Sequence, residues 1–225
     1  MKIRDCQLPE SANQKSKQVL LARIVRLFAI VVVMQVFAKQ ALAGADTRIA
    51  LTIVVNNYSQ ASPTTLTRAE REAGRILGQA GLQVAWVNCP EKRSGVELNE
   101  RCDGEPAVDS LALRVLSRSS SSELNKSQDS VFGFAVHPIL ASVYYEAAAG
   151  LAHGDNAEFE FSVILGCVIV HELGHLLLGP KNHSGIGIMQ AQWGRNQLRQ
   201  AMMGGMLFTP EQSKRIREEV HRRTS

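Results

Sequence analysis

Apolar and polar residues follow one another along the first half of the chain in a pattern that predicts two strands joined by a helix. Residues 49–55 are β-branched and almost continuously apolar, which is typical of a strand buried on both faces. Between residues 66 and 80, apolar side chains recur at helical spacing, with charged side chains on the opposite face. Residues 82–87 alternate as a second strand. We therefore expect a βαβ unit with parallel strands and a right-handed crossover.

Three more strands are predicted further along the chain, at residues 110–116, 131–137 and 141–145. The serine-rich residues 117–130 are expected to form a mobile loop before the second of them, and Pro138 ends that strand. Strands and helices in this order, without an internal repeat, predict a single α/β domain.

Two helices are predicted in the last third of the chain. The apolar run of residues 161–170 predicts a buried helix, which Gly179 and Pro180 end because glycine accepts the left-handed conformation and proline cannot continue the helical hydrogen bonds. Residues 209–212, Thr-Pro-Glu-Gln, form a capping box with proline in the first helical position. They predict a C-terminal helix over residues 210–222.

The first 43 residues are expected to be a secretory signal peptide. Basic residues precede the apolar run of residues 27–38, and Ala41-Leu42-Ala43 matches a small-residue cleavage site. An uncleaved membrane anchor is the alternative, although the run is shorter than the roughly 20 residues that a spanning helix needs. We expect cleavage after Ala43, which leaves residues 44–225 as one secreted or periplasmic domain with no membrane segment.

The charge of the chain changes when this segment is set aside. The whole sequence has 25 basic and 21 acidic side chains, whereas residues 44–225 have 18 and 19. The excess of positive charge therefore belongs to the predicted signal and gives no reason to expect a nucleic-acid partner. The remaining residues are enough for one domain with a hydrophobic core, which we expect to be a monomer.

The cysteines agree with export. Cys89 and Cys102 flank a polar, loop-like segment, where a disulfide is plausible in an oxidising compartment, although the sequence leaves this bridge open. Cys167 lies in the predicted apolar helix. A buried free thiol is the expected state of this residue, and contact with a metal is the alternative.

The pattern that carries chemistry is His171-Glu172-Leu173-Gly174-His175. Residues four apart share one face of a helix, so the two imidazoles lie side by side and suit the Zn–N bonds of a tetrahedral site. Glu172 is then placed to act as general base toward the metal-bound water. His183 follows shortly after the end of the helix and is the candidate third ligand. Burying these polar groups without a metal would be costly, which favours zinc over a structural role.

This region resembles the metzincin clan of zinc-dependent proteases. The resemblance rests on the His-Glu-x-x-His motif, on Gly179 and His183 after it, and on Met189 in the place of the Met-turn residue. Metzincins have the glycine three and the histidine six residues after the second motif histidine, whereas Gly179 and His183 follow His175 by four and eight residues. The sequence is also similar to secreted bacterial proteins that carry this longer Leu-Gly-x-x-x-His-Ser form.

The resemblance implies a zincin-like α/β fold. Such a fold has a mixed five-stranded sheet of mostly parallel strands, an antiparallel edge strand beside the cleft, a catalytic helix and a C-terminal helix. By resemblance, residues 131–137 form the edge strand and pair with the backbone of an extended substrate. Gly133 within this strand would let a peptide approach closely.

The implied activity is that of a secreted zinc endopeptidase acting on protein or peptide substrates. Glu172 is the expected catalytic base, and the expected ligands of Zn²⁺ are His171, His175 and His183. The alternative is an exported zinc-binding protein without proteolytic turnover. The presence of Glu172 favours the enzyme, because a structural zinc site needs no base.

Other residues are weaker candidates for this site. Three glutamates of the last helix could supply a third ligand, as in gluzincins, but are expected to be solvated: Glu211, Glu218 and Glu219. Three further histidines are expected at the surface: His137, His153 and His221. Of these, His153 could lie near the cleft. Trp193 could wall a substrate pocket or fill the core, and the sequence does not decide between them.

Overall fold

The computed structural model describes residues 49–59, 61–90, 100–103, 107, 110–117, 132–152 and 156–225. The predicted signal peptide and most of the predicted serine-rich loop lie outside these ranges. Within them the strands are β1 Ile49–Asn57, β2 Leu82–Cys89, β3 Ser110–Leu116, β4 Gly133–Val136 and β5 Leu140–Tyr144. The helices are α1 Pro63–Gln79, α2 Glu100–Asp103, α3 Tyr145–Ala149, α4 Ala157–Leu178, α5 Arg195–Met202 and α6 Pro210–Thr224.

The five strands form one mixed sheet in the order β2-β1-β3-β5-β4. β1 pairs in parallel with β2 and β3, and β3 pairs in parallel with β5. β4 lies at the edge and is antiparallel to β5. The predicted fold class is therefore confirmed, including the parallel pairing across α1 and the antiparallel edge strand.

The core lies between the sheet and two helices, α1 and α4, which pack against each other. α1 buries the apolar residues that the helical spacing predicted, among them Ala69, Ala73 and Ile76. The two helices approach closely at Gly166 of α4, because a Cβ there would stand 2.7 Å from the carbonyl oxygen of Ala69. A glycine is thus needed where the helices touch.

α4 is the central element of the domain. It has 22 residues, and by length and composition it could cross a membrane. However, most of it is buried inside the fold, as is usual for a core helix. Its length places the last two turns, which carry the histidine motif, at the side of the sheet where β4 forms the edge.

Three helices of the structure were not predicted. α2 is four residues long and lies at the end of the segment that was expected to be a loop. α3 follows β5 directly, where the fifth strand was expected to include Tyr145. α5 is eight residues long, and its apolar residues Leu198, Ala201 and Met202 recur at helical spacing, a signal that could have indicated it. The C-terminal helix is confirmed, and its Thr209 and Gln212 form the predicted capping box.

The cysteines of the described residues are found in two states. Cys89 at the end of β2 and Cys102 in α2 form a disulfide, which the sequence had left open. Cys167 is free and buried in α4, as expected.

Candidate metal centre

Two of the predicted ligands lie on the last two turns of α4. The rings of His171 and His175 are edge to face, and their Nε2 atoms are 3.2 Å apart. The Nδ1 atom of His171 donates a hydrogen bond of 2.8 Å to the carbonyl oxygen of Ile188. Since a carbonyl oxygen only accepts, this bond fixes the tautomer of the neutral ring and leaves the Nε2 lone pair pointing into the site.

The chain turns back sharply after α4 and brings His183 to the same place. Gly179 ends the helix with a φ of 93°, a conformation that favours glycine. The side chain of Asn182 donates to the carbonyl oxygens of Leu178 and Gly179. Arg215 of α6 donates to the carbonyl oxygen of Leu178 at 2.9 Å and to the side-chain oxygen of Asn182 at 3.2 Å. The longer spacing before His183 is therefore held in a braced turn.

The three histidines converge on one point. The ring centroid of His183 is 4.8 Å from that of His175 and 5.4 Å from that of His171. Each ring offers a nitrogen, and these nitrogens lie within 4.8 Å of one another. The 3.2 Å between the two helix nitrogens matches the edge of about 3.3 Å in a tetrahedron with Zn–N bonds of about 2.05 Å. The described residues thus fit a zinc ion.

The protonation of the helix histidines also suits a metal. Burial lowers the pKa of His171 to about 4 and lowers the pKa of His175, with a smaller contribution from neighbouring His183 in each case. Both rings are therefore neutral at pH 7, and no proton has to be displaced before their nitrogens can act as ligands.

Glu172 is buried beside the histidines, with 5% of its surface exposed, and it lines the same cleft. Burial raises the pKa of its carboxyl group to about 8. A Cβ at Gly133 of β4 would stand 2.8 Å from Cγ and 3.0 Å from Cδ of Glu172. The position that a side chain at Gly133 would take is thus filled by Glu172, because the edge strand packs against this side chain; the approach of a peptide to the strand stays a prediction.

Met189 lies beneath the histidine pair, fully buried. A Cβ at Gly174, between the two histidines, would meet its sulfur atom, so the methionine packs directly on this turn of α4. The backbone around it is fixed by a hydrogen bond of 2.9 Å from the amide of Ser184 to the carbonyl oxygen of Met189. This is the position that the resemblance implied for a Met-turn residue.

A cleft of about 510 Å³ opens over the three histidines. Phe132 and Trp193 form one wall, with ring centroids 5.9 Å apart, and Trp193 lies edge-on to His171 at 5.8 Å. The indole nitrogen of Trp193 donates to the carbonyl oxygen of Gln190 at 3.1 Å, which fixes the ring. Trp193 therefore walls the cleft and also packs against the hydrophobic core.

The sequence had not placed every residue of this cleft. His137, expected to be an ordinary surface histidine, is exposed but lines the cleft, because the turn after β4 lies at its rim. Its place at the end of the predicted edge strand was the signal that could have indicated this. Phe132 and Lys181 line the cleft as well, and neither had been singled out. His153 lies outside the described residues.

The weaker candidates lie elsewhere in the described part of the chain. The carboxylate of Glu219 pairs with Arg222 and Arg223, each at 2.8 Å, and is not part of the histidine group. Glu211, Glu218 and His221 are exposed on α6. Cys167 is also outside the group, and burial raises the pKa of its thiol to about 12, which keeps it from acting as a thiolate ligand.

Comparison with known proteins gives a distant likeness of fold. No protein-family model matches the sequence, and no curated protein matches it. The crystal structure of archaemetzincin from Methanopyrus kandleri is similar, with a TM-score of 0.47 and 16% identity, covering 79% of this chain and 98% of that chain. A likeness at this distance carries nothing about activity.

Proposed function

We propose that this protein is a zinc-dependent peptidase in which His171, His175 and His183 hold the metal and Glu172 is the general base. The observation that carries the proposal is the buried carboxylate of Glu172 beside three convergent imidazoles on the floor of an open cleft. Within the described residues, the group has no fourth protein donor. A structural zinc site usually has one and needs no base.

The edge of the sheet supports an endopeptidase. Among the described strands, β4 pairs with β5 alone; it lies beside α4 and lines the cleft through Gly133 and Ala135. The unpaired backbone of such a strand can form main-chain hydrogen bonds with an extended peptide, which aligns the scissile bond without relying on a particular side chain. We therefore propose internal cleavage of proteins or peptides.

Different residues of the chain have different roles in the proposed hydrolysis. When bound, zinc supplies a Lewis acid that polarises a carbonyl group and lowers the pKa of water. Glu172 takes a proton from the attacking water and later delivers it to the departing amine. Burial raises the pKa of Glu172 to about 8 in the metal-free protein, and a bound cation would favour the ionised carboxylate, which is the form that can accept the proton. Ile188 holds His171 in the tautomer and orientation that ligation requires.

Export is part of the proposal. The predicted signal peptide of residues 1–43 supports a secreted or periplasmic location. The disulfide between Cys89 and Cys102 supports it too, since such bonds persist mainly in oxidising compartments.

The substitution Glu172→Ala tests the proposed base. We expect the purified variant to keep one zinc ion by elemental analysis and to lose at least about 100-fold in the cleavage of casein or a peptide mixture. A chelator should abolish the activity of the parent protein. The matched control is Glu211→Ala, which removes an exposed glutamate of α6. Zinc binding without any cleavage by the parent would favour the alternative of an exported zinc-binding protein.

A further inference from the structure

Lys181 gives the rim of the cleft its permanent positive charge. Among the described residues that line the cleft, it is the only lysine or arginine, and Glu172 is the only carboxylic acid. Glu172 is buried, whereas Lys181 is exposed. The charge that an approaching substrate meets is therefore positive, although residues 44–225 as a whole have a small excess of acidic side chains.

The backbone of Lys181 is held in a fixed conformation. Its φ is 63°, in the left-handed region that residues other than glycine rarely adopt. It lies between Gly179 and His183, in the turn that Asn182 and Arg215 brace through hydrogen bonds to the end of α4. An unusual backbone conformation maintained by its surroundings is often found where a side chain has a function.

The ammonium group of Lys181 has no carboxylate partner within the described part of the chain. Three other basic side chains of the described part of the chain are already engaged. Arg215 donates to the turn itself, and Arg223 donates to backbone carbonyls and to Glu219. The ammonium nitrogen of Lys214 lies 4.0 Å from a carboxylate oxygen of Glu218. Lys181 is thus available to a ligand.

We propose that Lys181 determines specificity by pairing with an acidic side chain of the substrate, so that this site prefers acidic peptides. The inference rests on the proposed function, because it names a substrate class for the same cleft. An exposed ion pair of this kind gives a preference of about two- to fivefold, which falls as salt screens the charges.

The test uses matched peptides that differ only by Glu or Gln at one position, with that position moved along the peptide. Peptide binding to the zinc-loaded Glu172→Gln variant, which is expected not to hydrolyse the peptide, is measured by intrinsic tryptophan fluorescence. We expect the glutamate peptide to bind about two- to fivefold more tightly at one or more positions. Adding Lys181→Met should bring the ratio of the dissociation constants of the two peptides to about one, and Lys181→Arg should preserve the preference for glutamate. The control Lys214→Met, which removes the same charge away from the cleft, should also preserve it.

Equal binding of the two peptides at every position, or a preference that survives Lys181→Met, overturns the role of Lys181. Cleavage of the same peptides by the parent protein reports separately on the proposed function. Cleavage without a preference for glutamate overturns the inference alone, and a Lys181-dependent preference without cleavage overturns the peptidase alone. If no peptide binds, both are overturned.

Discussion

At the scale of single residues, the position of the Glu172 carboxylate depends on a glycine, Gly133, which leaves room for it. Gly133 comes from a different element, and its lack of a Cβ leaves room for Cγ and Cδ of Glu172. A base that must reach a proton within hydrogen-bonding distance tolerates little displacement, so this contact has a consequence for the rate.

We therefore expect Gly133→Ala to lower kcat by about 10- to 100-fold while zinc binding is retained. The added methyl group would meet Glu172 and the carbonyl oxygen of Ser142. Peptide hydrolysis, metal content and denaturant unfolding are measured together, so that loss of the fold is separated from displacement of the base. The control is Gly185→Ala, because a Cβ there has no atom within 4 Å. An unchanged kcat in a folded Gly133→Ala protein would show that the contact does not position the base.

The raised pKa of Glu172 predicts a pH dependence in the metal-free protein. Between pH 4.5 and about 8 the folded state keeps a proton that the unfolded state releases, so this carboxyl makes the fold less stable as pH rises. Glu172→Gln removes the effect. We expect the stability of this variant relative to the parent to increase across that range, by about 1.4 kcal/mol for each unit of pKa shift.

Denaturant unfolding of the chelator-treated proteins at a series of pH values measures this difference. The lowered pKa of His171 acts in the opposite direction, because its contribution to stability is lost as pH falls from 6.5 toward 4. His171 is present in both proteins, so its contribution largely cancels. A stability difference that is independent of pH would contradict the buried state of Glu172.

At the scale of elements, α6 is fastened to the site by arginines. Arg223, with 5% of its side chain exposed, donates to the carbonyl oxygens of Leu176 in α4 and Pro138 in the turn after β4, and to Glu219. A single side chain thus ties three segments together.

We expect Arg223→Met to lower the free energy of unfolding by about 1–3 kcal/mol, since it leaves partly buried acceptors unpaired. Arg222→Met is the matched control. Arg222 has 69% of its side chain exposed and, among the described residues, bonds to Glu219 alone, so we expect a clearly smaller loss of stability. Denaturant unfolding of both variants measures the difference. Equal losses in the free energy of unfolding would contradict the role of Arg223 in linking the three segments.

The elements themselves were largely predictable because each strand and the two longest helices carry local apolar periodicity. The sequence also indicated which side chains form the metal group, since a helical spacing of four places two of them together. It could not indicate contacts between elements, such as Gly133 against Glu172, because these depend on how β4 packs on α4. α5 does carry apolar residues at helical spacing, but eight residues give too short a pattern to stand out, and His137 reaches the cleft only through the turn after β4.

At the scale of the whole molecule, residues 48–225 form one compact unit, and the metal group joins distant parts of it. His171 and His175 belong to α4, while His183 follows the braced turn, so a bound ion holds helix and turn together. Since the unfolded chain does not present the three rings in this arrangement, zinc binds chiefly to the folded state and stabilises it.

Removing the metal is therefore expected to lower the unfolding temperature. At a zinc concentration about 1,000 times the dissociation constant, the ion contributes about 4 kcal/mol. Thermal unfolding with and without a chelator measures the shift, and His183→Ala should remove most of it. His221→Ala, a change at an exposed position on α6, is the control. A zinc-dependent shift that persists in His183→Ala would show that this ring is not a ligand.

The braced turn between His175 and His183 has a consequence for recognising such proteins. Hydrogen bonds from Asn182 and Arg215 hold the longer turn, so the ring of His183 lies beside the other two. It does so although the number of residues between His175 and His183 differs from that in metzincins. A search written with fixed intervals would pass over this chain. A search that asks for an asparagine just before the third histidine, together with a basic residue on a later helix, would select it and any others that solve the same geometry in this way.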